Sequence, residues 1–270
     1  MKSKFNLNFF LSVLIIFFAI LGSTSILYDS QKKYDNLILK RNKNIEKLIP
    51  GYHYRLYDNK KLKNFVNTPI RNFNLDEVNS LIFNSLAHYD LNQDIRDNFI
   101  LYIFSKFHVG FSQVKTVDKI INTGVGFCNQ AVIVLNHIAK INNKDFRTIQ
   151  LTGHVVTEIK ISNNWYFADP DYGFTLPISY QELINLKKQE VQKIISQKLL
   201  SNGFNNYTVN KYLNELLSIE NNYKDINNSF TTKPNKILQL EIFLQKFNLI
   251  IILVIIIMLS GILLKRKKFF

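Results

Sequence analysis

The chain has 270 residues and is basic, with 34 Lys+Arg against 20 Asp+Glu and a formal net charge of +14. Its one cysteine, Cys128, excludes an internal disulfide, and no cysteine or histidine has the spacing of a structural zinc site. Six of the basic residues (Lys2, Lys4, Lys265, Arg266, Lys267, Lys268) lie at the two ends, and no nucleic-acid-binding motif accompanies the rest. The abundance of Asn, Ile, Lys and Phe reads as a coding bias.

In chain order, Phe9 to Gly22 is an uncharged run that extends to about Leu27 behind Lys2 and Lys4, which predicts a transmembrane helix over 5–27. Small residues after it, Gly22, Ser23 and Ser25, also fit a cleaved signal peptide, although no clear Ala-x-Ala site is present. A basic stalk and linker over 28–73 follows, helical from about 30 to 48 and ended by Pro50-Gly51. Its clusters Lys32-Lys33, Lys40-Arg41 and Lys60-Lys61 suit a surface near anionic headgroups.

From Asn74 to about Tyr89 the spacing of Leu75, Val78, Leu81, Ile82 and Leu86 predicts a helix, with Asp76 and Glu77 in the turn where the helix dipole favours acid. A second helix is predicted over about 93–107, and a third from near Phe127, burying Val132, Leu135 and Ile138-Ala139. Three strands are predicted near 146–152, 154–161 and 165–169, the last two joined by a turn at Ser162-Asn163-Asn164. The result is an α+β domain over 74–180 in which a central helix packs on an antiparallel sheet. A helical extension and linker follows over 181–235, with helices near 181–200 and 208–218 and an Asn-rich linker over 221–235. A second apolar run ending at Lys265-Arg266-Lys267-Lys268 predicts a transmembrane helix over 246–264, with no Leu-Pro-x-Thr-Gly sorting motif before it. The lysine-bearing ends place both termini in the cytoplasm and the domain between two spans in the extracytoplasmic, periplasmic space.

Chemistry concentrates at Gly124-Val125-Gly126-Phe127-Cys128, a glycine-punctuated entry into an apolar helix. Unpaired amides at a helix N-terminus favour thiolate, the nucleophilic form. An unpaired thiol in an oxidising space is a liability unless it is used. Downstream, His154 on one strand and Asp169 on the next supply a base and a carboxylate to orient it. Gly-Phe-Cys at a helix start, His-Val-Val-Thr-Glu on a strand and Trp-Tyr-Phe-Ala-Asp-Pro on the next resemble the core of the transglutaminase-like superfamily, relatives of papain-type cysteine proteases. The resemblance covers about residues 120–175. It implies Cys128 as nucleophile, His154 as general base and Asp169 as orienting carboxylate, no cofactor, and a helix carrying the cysteine packed on an antiparallel sheet. Arg147 falls where many bacterial members carry an arginine, and Val156 stands where the family often has tryptophan.

Glu158 competes for the orienting role, but four residues along the same strand span about 13 Å, too far to hold the imidazole. A two-residue turn at Asn163-Asn164 would pair Glu158 with Asp169, so His154 and Asp169 require a shifted register or a bulge. His53, His88, His108 and His137 have weaker claims; His88 and His108 end apolar helical runs, where an imidazole meets a helix C-terminus. Asp171 is a possible cation ligand, and Gln113 a possible second oxyanion donor by chemistry alone. The expected function is a membrane-anchored cysteine enzyme that cleaves or transfers acyl groups of amide bonds in peptide or cell-envelope substrates through a thioester. The alternatives are a non-catalytic binding or scaffold module of the same fold, and a peptide N-glycanase-like deamidase.

Overall fold

The computed structural model describes residues 7–27, 60–89, 91–96, 98–108, 111–218 and 236–267. The expected stalk helix, Pro50-Gly51, His53 and the linker over 221–235 lie outside the described residues. In chain order the elements are α1 (Leu7–Leu27), α2 (Lys60–Phe65), α3 (Leu75–Ser85), β1 (Ala87–His88), α4 (Phe99–Phe107), α5 (Val117–Thr123), β2 (Val125–Gly126) and α6 (Cys128–Ile141). Then follow β3 (Phe146–Leu151), β4 (His154–Ile161), β5 (Asn164–Asp169), β6 (Phe174–Leu176), α7 (Tyr180–Asn185), α8 (Lys188–Ser201), α9 (Asn206–Leu216) and α10 (Lys236–Lys267). They divide into two compact units, one holding α1, residues 92–113 and α10, the other holding the remaining elements.

The larger unit is α+β, as expected, and is built on a four-stranded antiparallel sheet in the order β3-β4-β5-β6. Alternation along β4 puts His154, Val156 and Glu158 on one face and Thr157 and Ile159 on the other. On the Ile159 face the sheet meets α6, whose Val134, Leu135, Ile138 and Ala139 join Ile159 and Ala168 in one core. The buried Asn136 side chain ties the two layers together. Its Nδ2 donates to Thr148 Oγ1 at 2.9 Å and its Oδ1 accepts from Thr157 Oγ1 at 2.7 Å. On the opposite face Ile149, Val156, Phe167 and Leu176 pack with Tyr180, Val191, Ile195, Leu199 and Tyr212 from α7, α8 and α9.

Local chemistry sets the element ends. The Asn74 side chain caps α3 by accepting from the amides of Asp76 and Glu77. The turn between β4 and β5 is Ser162-Asn163, both with positive φ (47° and 74°), the backbone that a two-residue hairpin needs. The pairing is therefore Ile161 with Asn164 and Thr157 with Ala168, which sets Glu158 opposite Phe167, two residues from Asp169. Elements of this unit that were not anticipated are the short helices α2 and α5, the strand β6, and a parallel pair of two-residue strands in which Ala87 faces Val125 and His88 faces Gly126. The helix expected over 181–200 is broken into α7 and α8, with Ser179 and Glu182 forming a reciprocal cap at the start of α7.

In the smaller unit, α1 packs along α10. One stretch among the described residues, Gln239–Ile262, with mean hydropathy 2.6, is long and apolar enough to cross a membrane. The two expected spans are thereby corrected to one. Within α1, Phe9–Ser23 is apolar over the described side chains but is not by itself a candidate crossing. The two-crossing topology with both termini cytoplasmic is therefore not supported by the described residues.

Candidate active site

Cys128 is the first residue of α6 and is partly exposed. The turn that delivers it is held by Gln130, which is fully buried: Oε1 accepts the Phe127 amide at 2.9 Å, and Nε2 donates to the carbonyls of Leu91 at 3.0 Å and Val114 at 2.9 Å. Gly126 permits this closeness, because a Cβ there would lie 2.9 Å from Gln130 Cβ. The amides of Gln130 and Ala131 bond back to the Phe127 carbonyl, whereas the Cys128 amide, at the very start of the helix, has no intrahelical carbonyl to reach.

His154 opens β4 behind Gly153, and Asp169 closes β5; both are buried. The observed register, carried one position beyond Thr157 and Ala168, sets Asp169 opposite Val156 and diagonal to His154 on the same sheet face. His154 Nε2 lies 2.7 Å from Asp169 Oδ2, and since an ionised carboxylate only accepts, the ring nitrogen donates. Nδ1 is then the nitrogen left for the thiol. Metal-ligating atoms of Cys128, His154 and Asp171 all lie within 4.8 Å of one another. The three expected site residues are thus brought together, from a helix start, a strand start and a strand end. α6 packs on the sheet face opposite His154 and Asp169, so thiol and imidazole meet at the end of the sheet.

The Asp169 carboxylate is fully engaged. Oδ2 also accepts from Tyr212 Oη at 2.8 Å, and Oδ1 accepts from the amides of Asp171 at 3.1 Å and Tyr172 at 3.0 Å. Its backbone carbonyl accepts from the buried Asn79 side chain at 3.2 Å, which ties α3 to the same point. The rings of Tyr172 and Tyr212 stand edge-on to the imidazole at 5.2 and 5.6 Å.

Burial alone would push the His154 pKa down, but the charge and hydrogen bond of Asp169 and the contact with Cys128 outweigh it and raise the pKa well above the ordinary histidine value. Burial, reinforced by the charge of Asp169, raises the pKa of Tyr212 well above its usual value and keeps its hydroxyl a donor.

Glu158 points into the α7 side of the sheet, where it accepts from Arg147 Nε and from the Tyr180 amide, so it pairs with arginine and not with His154. His88 lies on β1, not at a helix end. Its Nδ1 is 2.8 Å from Asp171 Oδ1 and its ring lies 4.9 Å from that of Phe127. His137 is half-buried on α6, where burial lowers its pKa against the pull of Asp118. Gln113 belongs to the smaller unit, bridged to Asn92. Among the described residues, Cys128, His154 and Asp171 could hold a metal ion, a set drawn from a helix start, a strand start and a turn that spacing along the chain does not reveal. Sequence reasoning missed Tyr212, Tyr172, Gln130 and Asn79. The capping glutamine three residues into α6 was the one local signal available.

No family model, curated protein or solved structure matches the chain.

Proposed function

We propose that the chain is a cysteine-dependent acyl-transfer enzyme of the transglutaminase-like kind, anchored to a membrane through α10 and acting on amide bonds of extracytoplasmic peptide or cell-envelope material. The observation that carries this reading is the buried contact of His154 Nε2 with Asp169 Oδ2 at 2.7 Å, with the Cys128 sulfur within 4.8 Å of the imidazole and Asp171. A carboxylate fixing the tautomer of a base that faces a thiol is the arrangement nucleophilic catalysis requires. The basic run Lys265-Arg266-Lys267-Lys268 after the apolar stretch favours a cytoplasmic C-terminus, which leaves the larger unit on the other side.

In the reaction, His154 Nδ1 takes the thiol proton and the thiolate adds to the amide carbonyl carbon. The Cys128 amide donates to the resulting oxyanion. Collapse breaks the C–N bond, the leaving amine takes the proton from His154, and a thioester remains. Water, or an acceptor amine, then gives a proton to His154 and attacks the thioester, and the thiol is restored. Hydrolysis is favoured over crosslinking because water is always at hand and nothing in the chain specifies an amine acceptor.

The test is alkylation of Cys128 by iodoacetamide in chelator-treated protein, at a pH well below the free thiol value of about 8.5. The expected outcome is rapid labelling that slows by about 10²-fold or more in His154→Ala, the contribution typical of a positioned base. Labelling at the rate of an ordinary cysteine, unchanged by His154→Ala, would instead assign the chain to a non-catalytic module.

A further inference from the structure

Within the smaller unit, residues 92–113 leave and return at one place: Asn92 and Gln113 form an antiparallel bridge, and the Gln93 amide donates to the Ser112 carbonyl at 3.1 Å. Between these ends lies α4, Phe-Ile-Leu-Tyr-Ile-Phe-Ser-Lys-Phe, whose 9 residues give a length of about 14 Å, under half the about 30 Å of a hydrocarbon core.

The inner side of this excursion is seated on α10. Leu101 and Phe111 pack with Leu244, backed by Ile100 and Ile251, and the Phe99 ring meets Phe18 of α1 at 5.6 Å. Three of its side-chain hydrogen bonds are made there. Asn98 Nδ2 donates to the Leu244 carbonyl at 3.1 Å, Asn98 Oδ1 accepts the Leu101 amide at 3.0 Å, and Gln93 Nε2 donates to Glu241 Oε1 at 3.3 Å. Leu244 and Ile251 both lie inside the apolar stretch Gln239–Ile262.

The outer side is apolar and open. Ile103 is 45%, Phe104 40% and Phe107 83% exposed, and the three share one helix face. On α10, Phe243, Leu249 and Ile250 are likewise exposed. The nearby Lys106 has a stem long enough to carry its ammonium, 4.6 Å over the Tyr102 ring, towards headgroups.

We infer that residues 92–113 are a re-entrant membrane element, dipping into the bilayer beside α10 with Ile103, Phe104 and Phe107 among the acyl chains. Non-helical backbone at membrane depth is tolerated where protein covers it, and here α10 supplies that cover along one side. The inference rests on α10 crossing the membrane, and its test separates the two.

Trp165 is the single tryptophan, so Trp165→Phe gives a dark background in the full chain reconstituted into phosphatidylcholine vesicles. Tryptophan is then introduced as Phe107→Trp, or as Leu253→Trp on the exposed side of α10. With acyl-brominated phosphatidylcholine, both are expected to lose fluorescence to a comparable extent, while Trp165 of the unaltered protein keeps its intensity. Loss at Leu253→Trp with Phe107→Trp still bright would overturn the re-entrant element and leave the span, handing the apolar face to a protein partner or a second copy. Both bright would overturn the span and the inference together.

Discussion

Tyr212 and His154 share one oxygen: Tyr212 Oη and His154 Nε2 converge on Asp169 Oδ2 at 2.8 and 2.7 Å, so a residue of α9, far along the chain, helps to aim the imidazole. Tyr212→Phe removes a donor to a charged acceptor without changing the ring contacts. It is expected to destabilise the fold by about 1.5–3 kcal/mol in urea unfolding and to slow Cys128 alkylation less than His154→Ala does. Unchanged stability would mean that the other donors to Asp169 suffice.

The raised pKa of His154 makes stability depend on pH. Its native value lies above the unfolded value of about 6.5, so the folded chain holds a proton that the unfolded chain releases. The stabilisation is fully present below about pH 6.5 and is lost as pH rises through the native value. Unfolding free energies from urea titrations measured upward from about pH 6 are expected to fall, with a slope of at most about 1.4 kcal/mol per pH unit, and the fall should be absent in His154→Gln.

Two glycines with left-handed backbone separate strain from collision. Gly153 has φ +80° with nothing within 4 Å of an added Cβ, whereas a Cβ on Gly173, at φ +75°, would lie 2.4 Å from Phe83. Gly153→Ala is expected to cost about 1 kcal/mol from backbone strain alone. Gly173→Ala adds a clash in the turn just after Asp169 and is expected to cost about 1–3 kcal/mol more. Thermal unfolding of the two variants side by side checks the order.

Arg147 and Glu158 form a pair across β3 and β4 in which Glu158 is fully buried, and the guanidinium lies 4.4 Å over the Trp165 ring. Arg147→Met keeps the packing volume but strands the carboxylate. A loss of about 3–5 kcal/mol in denaturant unfolding is expected, with Cys128 alkylation in the folded fraction unaltered.

Much of the site was legible because its chemistry is local. The glycine-flanked helix start names Cys128, and period-two strands name His154 and Asp169. What was hidden is what arrives from afar. Tyr212 and Asn79 reach Asp169 from helices 43 and 90 residues away in the chain, and no periodicity reports such a contact. The pairing of His154 with Asp169 turned on the single choice of turn residues. Asn163-Asn164 and Ser162-Asn163 are chemically alike, and the positive φ at Ser162 decides between them. Hydropathy alone does not separate a helix that crosses lipid from one that lies packed along another, as α1 lies along α10. The helix expected over about 93–107 starts only at Phe99, where the Asn98 side chain caps it.

Gln130 leaves a consequence for the architecture. Its amide bonds the carbonyls of Leu91 and Val114, and the Val114 amide itself bonds Leu91 at 3.0 Å, so the cysteine-bearing unit is already sealed where the chain departs to 92 and comes back from 113. A short glycine-containing turn can replace the excursion without unlatching that seal. Combined with removal of α1 and a stop codon after Ser218, such a trimmed polypeptide would carry Cys128, His154 and Asp169 without the apolar helices of the smaller unit.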